Sequence, residues 1–379
     1  MMRARAALLI PLLLSASAVT SCRSATDLAP ADDAYRIIAY VRGRAEIHRI
    51  GAQKLTHINY AFATVSPEGD VVLEDPDSPA HLAQIQALKA KNPSLRVLVS
   101  VGGWGADNFS DAALTQESRY RFATSAIEMV KKYGLDGVDL DWEYPGQAGP
   151  GIKFRAEDKV NFTALLRELR AHLDWLSYQR GRWGRDPYLL TIASAAGNYF
   201  KHTEMDVLHE YLDFINIMTY DMVGSWAPAT GHHAALFGRS GDDPGPSTES
   251  YVRQHLEAGI PARKLVVGVP FYARAFAEVD PADDGLFQKY GRYATEYSGS
   301  VLSRDLVGKQ GFTRRWDDVA KAPFLWNPET RTFITYDDAE SLKLKTDFVK
   351  RLGLGGVMYW EHSHDPEETL LDVLYEDLR

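Results

Sequence analysis

Eight short apolar runs, rich in β-branched residues, recur along the chain with other patterns between them. The runs are continuous rather than strictly alternating, which is typical of parallel strands covered on both faces. The predicted strands are residues 36–41, 55–63, 95–101, 137–142, 188–195, 213–219, 265–269 and 356–360.

The segments between these runs repeat their apolar residues with helical spacing. Eight β–α alternations in roughly 340 residues favour an α/β fold, a closed (β/α)8 TIM barrel, for residues 35–379. An open doubly wound sheet is the alternative, and the lack of a glycine-rich phosphate loop after the first strand counts against it. The predicted helices are 80–91, 116–133, 158–178, 248–258 and 339–352.

One interval, between the seventh strand and the last helix, is too long for a simple connection. It is rich in Tyr, Phe, Asp and Gly. A loop of this size is expected to have structure of its own. We therefore predict a small inserted α+β subdomain at residues 273–335, after strand seven and on the catalytic rim of the barrel.

The charge and cysteine content exclude several classes of function. There are 42 basic and 51 acidic residues, a formal net charge of −9, so nucleic acid is not an expected partner. The single cysteine excludes an intrachain disulfide and a zinc site built from cysteines. The 8 Trp and 19 Tyr suit a surface that stacks on the apolar faces of sugars.

The first residues have the pattern of an export signal. Two arginines precede an apolar run at 6–14, which is too short to span a bilayer comfortably. The run leads to Cys22 in a sequence that resembles a bacterial lipobox, so we expect a lipoprotein signal peptide at 1–21, lipidation of Cys22 and a tether at 22–34. The expected location is the bacterial cell envelope, by lipid anchor; plain secretion is the alternative.

Three acidic residues, Asp139, Asp141 and Glu143, alternate along the fourth predicted strand and its end. Positions two apart on a strand share a face, so these side chains project together toward the C-terminal mouth of the barrel. Neighbouring carboxylates disfavour each other's ionisation. We predict that Asp139 and Asp141 raise the pKa of Glu143, which stays protonated and acts as a general acid. A solvated acidic loop is the alternative, and the strict period of two argues against it.

The run at 136–143, DGVDLDWE, resembles the D-x-x-D-x-D-x-E signature of glycoside hydrolase family 18, the chitinases and their relatives. The long interval after strand seven is similar to the chitinase insertion domain. Five further segments resemble family motifs in the family's order: SVGGW at 100–104, MTYD at 218–221, Trp226 with TGH at 230–232, YAR at 272–274 and GGVMYW at 355–360.

The resemblance implies substrate-assisted, retaining hydrolysis of β-1,4-linked N-acetylglucosamine, a recognised exception to two-carboxylate glycosidase chemistry. Glu143 would be the acid and later the base, and Asp141 would bind the acetamido N–H, with Asp139 as its partner. Tyr220 would hydrogen-bond the acetamido carbonyl, and Asp221 would bind and distort the sugar. The resemblance implies neither a metal nor a cofactor.

Aromatic and motif residues at the strand ends are the predicted substrate-binding set. Core packing is the alternative for the aromatics, above all for Tyr40 and Phe62, and pairing with a rim carboxylate is the alternative for Arg274. The set is Tyr40, Phe62, Gly103, Trp104, Tyr144, Met218, Trp226, Tyr272, Arg274 and Trp360.

Several functions are compatible with these motifs. The expected partner is chitin or another N-acetylglucosamine-containing glycan, and a monomer is expected. An endo-β-N-acetylglucosaminidase or a peptidoglycan hydrolase of the same family is the nearest alternative. A non-catalytic lectin on the same barrel is disfavoured because Asp139, Asp141 and Glu143 are all present. Four histidines, at 232, 233, 362 and 364, lack the spacing of a helix-borne metal site.

Overall fold

The computed structural model describes residues 35–239, 241 and 244–379. The predicted signal peptide, Cys22 and the tether at 22–34 lie outside the described residues. None of the described helices is long and apolar enough to cross a membrane.

The strands fall into a parallel set and an antiparallel set. In chain order they are β1 (Arg36–Arg42), β2 (His57–Val65), β3 (Val71–Val72), β4 (Arg96–Gly102), β5 (Gly137–Asp141), β6 (Leu189–Ser194), β7 (Phe214–Ile217), β8 (Leu265–Pro270), β9 (Tyr272–Ala277), β10 (Arg292–Ser298), β11 (Thr313–Asp317), β12 (Ala322–Asn327), β13 (Thr332–Thr335) and β14 (Gly356–Trp360).

The helices lie between the parallel strands and after the last one, with α8 inside the insertion. In chain order they are α1 (Ser78–Ala87), α2 (Phe109–Ala112), α3 (Gln116–Tyr133), α4 (Asp158–Gln179), α5 (Asn198–Lys201), α6 (Met205–Leu208), α7 (Thr248–Glu257), α8 (Gly299–Val301), α9 (Ala339–Leu352) and α10 (Thr369–Leu378).

Eight parallel strands close into a barrel in the order β1-β14-β8-β7-β6-β5-β4-β2, and the pairing of β2 with β1 completes the ring. These are the eight strands that the sequence predicts, so the (β/α)8 barrel is confirmed. Along β1, Ile37 and Ala39 pack outward under the helices, while Ile38 and Tyr40 pack inside the barrel. This alternation explains the continuous apolar runs, because both faces of each strand are buried.

At two places the structure lacks the full-length α-helix that eight β–α alternations would require. The connection from β1 to β2 has no α-helix; it forms two 3₁₀ turns, Ile47–Arg49 and Ala52–Lys54. The buried apolar residues of this segment, Ile47, Ile50, Ala52 and Leu55, are two and three positions apart, which suits short turns better than a helix. Between β6 and β7 the chain forms the short helices α5 and α6 and a 3₁₀ turn at His209–Tyr211.

The long interval after β8 forms its own sheet. Its five antiparallel strands have the order β10-β9-β13-β12-β11, with α8 and a π-helical turn at Leu302–Leu306. The sheet begins at Tyr272, two residues after β8 ends, so it rises directly from the C-terminal rim of the barrel. Its two faces bury separate apolar clusters, one around Leu325 and Ile334 and one around Phe276 and Phe333.

Candidate active site

Strand β5 carries the three predicted acidic residues from the barrel interior to its mouth. Asp139 is 0% exposed, Asp141 is the last residue of the strand, and Glu143 follows it at the rim, half-buried. The strand geometry places the three on one face, as the spacing of two predicts. They therefore form one column that rises along the strand to the open end of the barrel.

Asp139 is held by donors from four other strands. Tyr40 and Ser100 donate their hydroxyls to Oδ2, each at 2.8 Å. Thr191 donates to Oδ1 at 2.5 Å, and the Asn216 amide donates to the same oxygen at 3.3 Å. Burial raises the pKa of Asp139, and these hydrogen bonds act against that rise. Because both carboxylate oxygens accept hydrogen bonds, the side chain of Asp139 has a fixed position below Asp141 and Glu143.

Asp141 sits one layer higher and is incompletely bonded. Its Oδ1 is buried and has no hydrogen-bond partner among the described residues. Burial, the charge of Glu143 and then the charge of Asp139 raise the pKa of Asp141 well above its usual value. The structure contains no hydrogen bond between the described side chains of Asp139 and Asp141, so their interaction is electrostatic here. An unpaired buried oxygen of this kind is suited to accept a donor from a ligand.

Glu143 has its pKa raised to about 7, mainly by burial. The adjacent Tyr144 acts in the opposite direction, and the charge of Asp221 adds to the rise. The sequence predicts that Asp139 and Asp141 cause the shift. In the structure desolvation is the largest cause, and Asp221 adds to it from the loop after β7. Near neutral pH a substantial fraction of the molecules therefore has Glu143 protonated, which is the state that a general acid needs.

Tyr220 approaches the acidic column from the end of β7. Burial raises the pKa of Tyr220 well above its usual value, as do the charges of Asp141, Asp221 and Glu143. The phenol therefore keeps its proton and can donate a hydrogen bond. Gly268 on β8 makes room for it, because a Cβ there would lie 2.9 Å from Cε1 of the Tyr220 ring.

Asp221 is held on one side by the insertion. Its Oδ1 accepts hydrogen bonds from the Tyr272 hydroxyl at 2.6 Å and from Arg274 Nε at 2.7 Å, and His233 Nδ1 lies 3.7 Å away. Although burial alone would raise it, the pKa of Asp221 is far below its usual value because His233 and Arg274 stabilise the carboxylate. Asp221 is therefore ionised, and Oδ2 has no hydrogen bond to any described residue.

Arg274 connects Asp221 to the insertion and to an exposed tryptophan. Its Nη1 donates to the Tyr293 hydroxyl at 2.8 Å and to Glu296 at 2.7 Å. Its guanidinium carbon also lies 5.2 Å from the centroid of the Trp226 ring. The alternative role that the sequence left open for Arg274, pairing with a rim carboxylate, is thus observed.

The floor of the cleft is aromatic. The Trp360 ring lies 5.7 Å from that of Tyr40 and 5.6 Å from that of Phe62, with the Phe62 ring nearly parallel. Tyr40 is buried inside the barrel. Its hydroxyl donates a hydrogen bond to Asp139, and its ring packs beneath Trp360. Gly103 has φ of +91°, and a Cβ there would lie 2.5 Å from the Phe62 ring, so glycine leaves the space that this ring occupies.

Two tryptophans are strongly exposed beside this floor: Trp104 is 67% exposed and Trp226 is 62% exposed. The Trp104 ring stands edge-on to Tyr144, 6.3 Å away between centroids. Met218 packs with the barrel-interior cluster that includes Trp360. Exposed aromatic rings at the mouth of the barrel can stack on a flat apolar ligand, and sugar rings present such faces.

Sequence reasoning assigned no role in the site to several residues that shape it. Ser100, Thr191 and Asn216 bind Asp139, and each is a polar residue inside an otherwise apolar strand, which is the signal that could have found them. Tyr199 is buried with no hydrogen bond from its hydroxyl to the described residues, and the charges of Asp141 and Glu143 help burial raise its pKa. His233, beside Asp221, carried no distinguishing pattern.

Two of the four histidines that the sequence shows have partners elsewhere in the structure. His232 contacts Asp317 at 3.0 Å in the insertion, and His362 contacts the Tyr359 hydroxyl at 2.9 Å. In the part of the chain that the structure describes, no group of three or more His, Cys, Asp or Glu residues could hold a metal ion.

Comparison with known proteins gives a consistent result. The family model described as glycosyl hydrolases family 18 matches residues 36–365. Chitinase A1 of Niallia circulans is 38% identical over 92% of this chain, which spans 59% of that protein. Chitinase B of Serratia marcescens is 33% identical, over 83% of this chain and 74% of its own length.

Solved structures agree in fold and sequence. A family 18 N-acetylglucosaminidase from Paenibacillus barengoltzii superposes with a TM-score of 0.84 at 40% identity, covering 91% of this chain and 100% of that one. Chitinase ChiA74 from Bacillus thuringiensis gives a TM-score of 0.85 at 34% identity, covering 91% of this chain and 70% of that one.

Proposed function

The chain belongs to glycosyl hydrolases family 18, and from that premise we propose that it is a chitinase that hydrolyses β-1,4-linked N-acetylglucosamine with retention of configuration. The observation that carries the proposal is the column Asp139–Asp141–Glu143, in which a carboxylic acid with a pKa of about 7 stands at the rim of an aromatic cleft. No opposed carboxylate nucleophile is required, because the substrate's own acetamido group attacks.

In the first step Glu143 gives its proton to the glycosidic oxygen. The bond from C1 to that oxygen breaks, and its electron pair leaves with the departing sugar. The acetamido carbonyl oxygen forms a new bond to C1, which gives an oxazolinium ring. Glu143 is left as a carboxylate, ready to act as a base.

Asp141 stabilises this intermediate. Its unpartnered Oδ1 accepts the acetamido N–H, and its negative charge offsets the positive charge of the oxazolinium. Because the charge of Glu143 raises the pKa of Asp141, ionisation of one disfavours ionisation of the other. In this step we assign the proton to Glu143 and the negative charge to Asp141. Asp139, fixed by its four donors, supports it from below.

Two further groups orient the sugar. The protonated Tyr220 donates to the acetamido carbonyl oxygen and directs it at C1. Asp221, ionised and held by its Oδ1, presents Oδ2 to a sugar hydroxyl and helps distort the ring. Trp360 forms the floor beneath this sugar, while Trp104 and Trp226 bind its neighbours.

In the second step Glu143 takes a proton from water. The water oxygen attacks C1 from the face that the leaving group vacated, the oxazolinium opens, and the acetamide is restored. Two displacements at C1 return the β configuration.

The test is Glu143→Gln, which keeps the shape of the side chain but cannot transfer a proton. We expect turnover of a chitooligosaccharide to be abolished while calorimetry still detects binding. Hydrolysis near the wild-type rate would overturn the assignment of the acid.

The nucleophile has a separate test. We expect β-anomeric product first, by NMR, from a β-linked oligomer, and no cleavage of fully deacetylated chitosan oligomers. Initial α product, or efficient cleavage of chitosan, would exclude participation of the acetamido group.

A second candidate is an N-acetylglucosaminidase, favoured by the match that covers the whole of the Paenibacillus barengoltzii protein. An endo-β-N-acetylglucosaminidase acting on N-glycans and a peptidoglycan hydrolase would use the same acidic column. Side-by-side product analysis on chitin, chitooligosaccharides, N-glycan and peptidoglycan separates these activities: a chitinase releases oligosaccharides from chitin and leaves N-glycan and peptidoglycan intact.

We also propose that the protein is a monomer anchored to the bacterial cell envelope through acylated Cys22, on the lipobox-like sequence that precedes this cysteine. We expect Cys22→Ser to release the protein from the membrane fraction. Unchanged fractionation would exclude the lipid anchor.

A further inference from the structure

His233 is a buried histidine at the junction of barrel and insertion that has no part in the steps above. It is 0% exposed, and neither ring nitrogen has a hydrogen-bond partner within the described residues. Leaving both nitrogens of a buried imidazole unbonded costs free energy, so this arrangement requires an explanation.

The backbone of His233 is fixed on both sides. Its carbonyl accepts from the Met222 amide at 3.0 Å, next to Asp221, and its own amide donates to Thr335 Oγ1 at 3.0 Å on β13. Its ring packs edge-on against Tyr272, with 5.3 Å between centroids. The imidazole therefore has a set position between the loop after β7 and the insertion sheet.

Asp221 is the carboxylate that lies beside this ring. His233 Nδ1 lies 3.7 Å from Asp221 Oδ1, the oxygen that already accepts from Tyr272 and Arg274. This separation exceeds the roughly 3 Å of a hydrogen bond, so a small shift of either side chain would be needed to form one. All three contacts approach Oδ1, which leaves Oδ2 free for the cleft.

Charged groups from every neighbouring element face the ring. Asp221 faces it from the loop after β7, Arg274 from β9, and Asp337 from the segment after β13. Asp337 is itself paired with the buried Lys345 on α9, 2.5 Å away. Burial lowers the pKa of His233, so the ring is neutral and acts as a hydrogen-bond donor rather than as a cation.

We propose that His233, with its proton on Nδ1, is a positioning residue that completes the set of donors on Asp221 Oδ1 and so aims Oδ2 at the sugar in the site. The inference rests on the proposed function, because it assigns His233 a part in the same reaction. It acts only through Asp221 and touches no substrate.

The experiment compares three variants on a fluorogenic chitobioside. His233→Leu removes the donor and puts an apolar side chain in its place, whereas His233→Asn has an amide that donates from nearly the same place as Nδ1. We expect His233→Leu to lower kcat/KM about tenfold, and His233→Asn to stay within about threefold of wild type. His57→Leu, at a buried histidine at the start of β2 on the other end of the barrel, serves as the control and is expected to leave kcat/KM unchanged.

A packing role for His233 gives the opposite ranking, because leucine fills the space better than asparagine. Wild-type kinetics for His233→Leu, or equal impairment of the Leu and Asn variants, would overturn the proposal. In an Asp221→Asn background, removing the His233 donor is expected to have no further effect; an undiminished effect there would also refute it. If His233→Leu fails to fold, His233→Met takes its place.

Failure of the proposed function would look different. It would appear as a wild-type protein that does not hydrolyse the chitobioside, and the variants would then be compared by binding of chitooligosaccharide in calorimetry. A wild-type enzyme that does hydrolyse it, with kinetics indifferent to residue 233, refutes only the inference on His233.

Discussion

The two ends of strand β5 carry the same kind of side chain in opposite electrostatic states. Just before the strand, Asp136 contacts Lys89 at 2.6 Å, Arg182 at 3.2 Å and Arg96 at 3.5 Å. Burial alone would raise the pKa of Asp136. Lys89 and a backbone amide outweigh this effect, so the pKa of Asp136 is below its usual value. At the other end, burial raises the pKa of Asp141 and Glu143.

The difference lies in the partners rather than in the depth of burial. Cations surround the lower end, so a buried carboxylate is stable there as an anion and ties β5 to its neighbours. Among the residues that the structure describes, the acidic column at the upper end has neutral donors and other carboxylates around it. Such a site retains a proton near neutral pH, which is what a general acid requires. One end of the strand therefore suits structural stability, and the other suits the proton transfer that we propose.

The largest expected difference between the two ends of β5 is in the effect of a mutation on turnover. We expect Asp141→Asn to reduce kcat by about 10²–10³-fold, because a neutral amide cannot offset the charge of the oxazolinium. Asp136→Asn serves as the control and should leave kcat within about twofold. Steady-state kinetics on a chitooligosaccharide measure both, and equal losses would show that the two ends do not differ in function.

Stability should respond in the reverse order. We expect Asp136→Asn to lower the free energy of unfolding by about 1–2 kcal/mol, since it leaves three partly exposed cations with one anion fewer. Urea unfolding at pH 7 measures this value. An unchanged midpoint would mean that the cations at the lower end contribute no net stability.

The pH dependence of activity tests the protonation state of the upper end. Since the first step requires protonated Glu143, kcat/KM should fall above a pKa of about 7, by about tenfold per pH unit. In Asp136→Asn this alkaline limb should keep its position. A limb displaced to below pH 5 would show that Glu143 ionises like an ordinary glutamate.

The smallest expected effect is on the pH dependence of stability, and its sign differs between the ends. The raised pKa of Glu143 means that the native state binds more protons than the unfolded state between about pH 4.5 and 7, so stability falls as pH rises through this window. Glu143→Gln should therefore be more stable than wild type by about 1–3 kcal/mol at pH 8 and nearly equal to it below pH 4.5.

Asp136, with its lowered pKa, stabilises the native state above about pH 4 and loses this contribution as the pH falls through its folded-state pKa. Asp136→Asn should therefore be destabilised at pH 7 and approach wild type in acid. Unfolding curves at several pH values check both signs, and parallel pH profiles for the two variants would contradict the comparison.

Much of the fold was predictable because strand periodicity is a local property. Each of the eight barrel strands has a continuous apolar run, and the spacing of Asp139, Asp141 and Glu143 assigns them to one face of β5. The connection after β1 was not predictable as 3₁₀ turns, because the packing of Ile47 and Leu55 on the barrel, not helix propensity, decides its shape.

The amino-acid sequence by itself determined the barrel, the acidic column and the aromatic residues near it, since alternation along a strand depends only on neighbouring residues. Only the tertiary structure decided which distant groups meet them: the four donors on Asp139, and the contacts of Asp221 with Tyr272, Arg274 and His233. The pKa values depend on these contacts between distant residues, because desolvation and charge act through space rather than along the chain.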